Sequence, residues 1–154
     1  MESLTSYLND HLAGAVGALE LLDHLLKGCD DPQLEAFFRS LRLEIEVDRA
    51  TLEKLIHDLD AKESAVRKAG AWVTEKLARV RLGPGGEMAM FLSFEALALG
   101  ITGKQKLWAA LAAAAETAPQ LRRLDYAKLE TRALAQAAQV EVKRLELARR
   151  LFGP

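Results

Sequence analysis

Cysteine is all but missing from this sequence. Cys29 stands alone among 154 residues, which excludes an internal disulfide and any cysteine-based metal cluster. It lies beside Asp30 and Asp31, not in the cationic setting that activates a thiol. Proline is nearly as scarce, with Pro32, Pro84 and Pro119 inside the chain and Pro154 at its end. Few positions can therefore break a helix. β-branched alternation is almost absent, which argues against strands. Aromatic residues make up 6%, and Trp72 and Trp108 read as packing anchors rather than cofactor stackers. Neither sign of charge dominates. The formal net charge is −1, so nothing pulls the whole chain toward nucleic acid or an anionic membrane. The most apolar stretch, Met88 to Ile101, is interrupted by Glu95 and is too short for a membrane span. The opening segment MESLTSYLNDHL lacks a basic start and an unbroken apolar run, so no signal peptide is expected and a cytoplasmic protein is the default. GxGxxG, P-loop, HExxH and nucleophile-elbow motifs are also missing.

What remains is strongly helical. Half the residues are hydrophobic and 28% are charged, and Ala, Leu, Glu, Lys and Arg dominate. The length suits one domain, residues 1–154, with a real core. A first helix is predicted from about Leu4 to Lys27, with Gly28 as its stop. Asp31-Pro32 reads as an N-cap followed by proline at the first helical position, opening a second helix to about Leu59. A third is predicted from Lys62 to Leu82, followed by the Gly83-Pro84-Gly85-Gly86 loop. A fourth runs from Glu87 to Glu116, with Gly100 and Gly103 able to kink or split it and Thr102 with Gln105 able to recap it. The last runs from Leu124 to Phe152. A helix of about 25 residues is roughly 37 Å long, and such helices bury their stripes best side by side. The third is shorter and basic, with Arg67, Lys68, Lys76, Arg79 and Arg81 against Glu75. It reads as a solvated crossover between two helical pairs, with contact to phosphate or a membrane surface as the alternative.

A few ionisable residues fall where apolar ones are expected. Leu34, Leu41, Ile45, Leu52, Leu55 and Leu59 keep the spacing of a buried stripe, and Asp48 takes the next place in it. A carboxylate there needs a partner. His11 lies on the face of the first helix defined by Leu8, Leu12, Ala15 and Leu19. Reflecting one helix onto the other about Cys29 and Asp30 sets His11 opposite Asp48. The pair is then either a hydrogen bond fixing helix register or a metal-binding or proton-handling site. Glu95 is embedded in MAMFLSFEALAL, apolar on every side, and is expected to be buried. The same reflection about Ala118 places it near Glu141 and Arg144. It reads either as an ion-pair partner of Arg144 or as a ligand or catalytic carboxylate. Glu130, among Ala127, Ala133, Leu134 and Ala137, is a further inward candidate. Glu20 sits on the polar side of the first helix, and Glu44 flanks the core stripe of the second.

The segments YLNDHLAGAVGALELLDHL, LRLEIEVDRATLEKL, FLSFEALALGITGKQKLWAAL and DYAKLETRALAQ resemble those of small bacterial members of the ferritin-like superfamily. The resemblance covers most of the chain as a helix pattern. It implies an all-α, ferritin-like four-helix bundle with an additional crossover helix. In metal-binding members two helices each give a Glu, the other two each give Glu-x-x-His, and together they hold two irons. Here Glu44 is followed three residues on by Val47, Glu130 by Ala133 and Glu141 by Arg144. Glu20 and Glu95 match the single glutamates, but both histidines are replaced. Two readings result. One is a metal-free bundle acting as a binding or structural protein, without a cofactor and with a homodimer as a plausible assembly. The other is a carboxylate-rich iron or manganese centre with oxidoreductase or storage chemistry, its ligands drawn from Glu20, Glu44, Asp48, Glu95, Glu130 and His11.

Overall fold

The computed structural model describes residues 2–59 and 86–154. Among the described residues the chain is all-α, with four helices, one short 3-10 turn and no strand. The helix predicted at 62–82, with its basic residues, lies outside the described residues.

Helix α1 spans Glu2–Lys27, closed by Gly28 as expected. Helix α2 spans Pro32–Asp58. The Asp31 carboxylate accepts the backbone N–H of Gln33 at 2.9 Å and of Leu34 at 3.3 Å, and Pro32 needs no partner for a missing donor. Helix α3 spans Glu87–Ala115. It opens at Gly86, whose φ of 80° lies in the left-handed region that glycine tolerates. Gly100 and Gly103, able to kink or split this helix, do not interrupt it. Each glycine costs about 1 kcal/mol against alanine, but Ile101, Gln105 and Trp108 are buried around them, and that packing carries the helix through. Thr102 stays exposed in mid-helix, so no capping box forms.

Pro119–Leu121 makes the 3-10 turn, and helix α4 spans Tyr126–Phe152. It begins two residues after the predicted Leu124 because Asp125, not Leu124, supplies the cap. The Asp125 carboxylate accepts the Lys128 N–H at 3.0 Å. The Tyr126 hydroxyl donates to the Leu121 carbonyl at 2.7 Å and ties the turn to the helix. Among the described residues no helix is long and apolar enough to cross a membrane.

The helices fall into two compact units, one holding α1 and α2 and the other α3 and α4. Each is an antiparallel hairpin. In the first, Leu8, Leu22, Phe38, Ile45 and Ile56 are buried. In the second, Phe94, Leu97, Trp108, Leu121 and Val140 are buried. Burying one such side chain is worth about 1.5–3 kcal/mol, so apolar burial is the leading stabilising term for both hairpins.

Candidate functional site

The polar residues of interest divide between the two hairpins. In the second, α3 and α4 are joined by a ladder of side-chain contacts. Glu87 accepts from Arg150 at 2.9 Å. Phe91 meets Phe152 edge to face, with ring centroids 5.4 Å apart. Glu95 lies 3.5 Å from the Arg144 guanidinium. Lys104 donates to the side-chain oxygen of Gln136. Gln105 donates to Glu130 at 2.6 Å. Nearest the turn, the rings of Trp108 and Tyr126 are 6.4 Å apart.

Glu95 and Arg144 therefore meet, as expected, but not in the interior. The Glu95 side chain is 45% exposed. The reason is that α3 is apolar almost all round, so burial of one flank necessarily leaves other apolar residues outside. Leu99, one turn on from Glu95, is itself exposed. Arg144 is committed more closely to Glu141, which it grips with two bonds of 2.8 Å each. That grip holds the Glu141 carboxyl below the ordinary carboxylate range. The guanidinium also lies over the Phe91 ring, 5.6 Å from its centroid.

Glu130 points to its own hairpin and takes its hydrogen bond from Gln105. Gln105 and Gln136 are both buried and were missed from the sequence as interior polar groups. A signal for each was present. Gln105 is four residues after Ile101 and three before Trp108, and Gln136 is three after Ala133 and four before Val140, so both continue buried stripes. Ser93, also buried, satisfies its hydroxyl on the Ala89 carbonyl at 2.7 Å.

In the first hairpin Asp48 is buried in the α2 stripe, at 3% exposure. His11 does not answer it. The His11 ring packs edge-on against Tyr7, with centroids 4.7 Å apart. Burial pushes its pKa down, and the opposing charge it feels is that of Asp10. The physical reason is register. Simple reflection about the loop would place Ala36 near Asp23, whereas Asp23 pairs with Arg42, further along α2, at 2.6 and 3.2 Å. That contact departs from simple reflection, and a register shifted in the same sense takes His11 away from the Asp48 level. Arg42 holds the Asp23 carboxyl below its usual value, chiefly through this hydrogen bond. Glu20 is exposed and Glu44 is half-buried. Asn9 is buried, donating to the Thr5 carbonyl at 3.0 Å. Its Oδ1, like the Trp108 Nε1, has no hydrogen-bond partner among the described residues.

Among the described residues no three His, Cys, Asp or Glu side chains come together to hold a metal ion. The suggested ligands are split, with His11, Glu20, Glu44 and Asp48 in the first hairpin and Glu95 and Glu130 in the second. No family model, curated protein or solved structure matches this chain. The candidate carboxylates of the second hairpin are engaged within it. Where a di-metal centre would need bare carboxylates, Glu95 faces a guanidinium and Glu130 an amide N–H.

Proposed function

We propose that the chain is a metal-free helical protein of the ferritin-like type, acting as a binding or structural protein. The single observation that supports this reading is Arg144 beside Glu95. A fixed cation at that distance repels a divalent ion, and it supplies the charge that a metal would otherwise provide. The Gln105–Glu130 hydrogen bond does the same on a smaller scale. Long helices with polar pairs in place of metal ligands retain a scaffold suited to presenting surfaces to other chains.

The competing reading is a carboxylate-rich iron or manganese centre. What favours it is Asp48, a carboxylate set into an otherwise apolar stripe. Elemental analysis separates the two. Purified protein, dialysed against ferrous iron or manganese and then against buffer, is expected to retain substoichiometric metal. Tightly held iron, manganese or zinc at one or two ions per chain would overturn the metal-free reading, and loss of that metal in Glu95→Ala with helicity unchanged would establish the competing one.

A further inference from the structure

We draw no further inference here: the strongest candidate, the exposed apolar stripe of Leu134, Val142 and Leu145 on the outer face of α4, carries nothing because nothing in the structure shows what covers it.

Discussion

In the second hairpin, polar and aromatic contacts cross between the helices from one end to the other, from Glu87–Arg150 through Glu95–Arg144 and Gln105–Glu130 to Trp108–Tyr126. In the first, several ion pairs stay within α2. Arg39 binds Glu35, Arg49 binds Glu46 and Glu53, and Lys54 binds Asp58. Asp23–Arg42 crosses from α1 to α2. The difference is one of specification. Directional contacts at several levels permit a single register, while apolar stripes can slide by a turn and still bury their residues.

The largest test of this comparison concerns what the hairpins share. Phe38→Ala and Phe94→Ala each remove a fully buried ring, and each is expected to cost about 3–5 kcal/mol. Urea midpoints with unchanged slope would read this directly. A loss in one variant but not the other would mean that only one hairpin rests on its apolar core.

A smaller effect should separate the two. Glu130→Ala leaves the buried Gln105 amide without its acceptor and is expected to cost about 1–3 kcal/mol. Replacing Gln105 and Glu130 together by leucine should recover most of that loss, because the unsatisfied donor is gone. Asp23→Ala in the first hairpin breaks a half-exposed pair and is expected to cost less than about 1 kcal/mol. If Asp23→Ala proved the costlier change, the first hairpin would be the one specified by polar contact.

The smallest difference appears with pH. Burial holds the His11 pKa below its ordinary 6.5. The unfolded chain then takes up the proton first, so His11 contributes its full stability above pH 6.5 and loses it as the pH falls through the depressed value. Asp23 and Glu141 are also depressed, by Arg42 and Arg144, from ordinary values of 3.8 and 4.5. Their contribution is present above those values and lost as the pH falls below them. The urea midpoint should therefore decline slightly just below pH 6.5, owing to the first hairpin alone, and again in the acid limb, owing to both. His11→Gln should abolish the first decline only. A wild-type midpoint that is flat from pH 7.5 to 5.5 would remove His11 from the account.

The same contrast explains what could be read from the sequence. Helix boundaries were legible because Gly28, Asp31-Pro32 and Gly86 act locally, and even the two-residue error at Leu124 came from overlooking a neighbouring cap, Asp125. Asp48 was legible as a buried carboxylate because the α2 stripe around it is regular. The Glu95–Arg144 contact was reached by reflection about the turn because several cross-links keep α3 and α4 close to that register. The proposed His11–Asp48 pair failed because reflection presumes a symmetric loop, and only packing sets the offset of α1 on α2. Glu95 was placed too deep because α3 has no clear polar side from which to judge its rotation. Gln105 and Gln136 were overlooked because amides carry no charge to mark them among alanines and leucines.

The continuity of α3 has a consequence for motion. Gly100 and Gly103 lie inside an unbroken helix, with open space where a side chain would project. Nothing in their surroundings demands glycine. The helix is therefore continuous through its weakest stretch, and the weakness is expected to show in how often that stretch opens. Backbone amides around Gly100–Gly103 should open more often than those of the Ala109–Ala115 run in the same helix. Glu95 and Leu99 on one side of that stretch are then expected to be coupled less tightly to Lys104 and Gln105 on the other than a glycine-free helix would couple them.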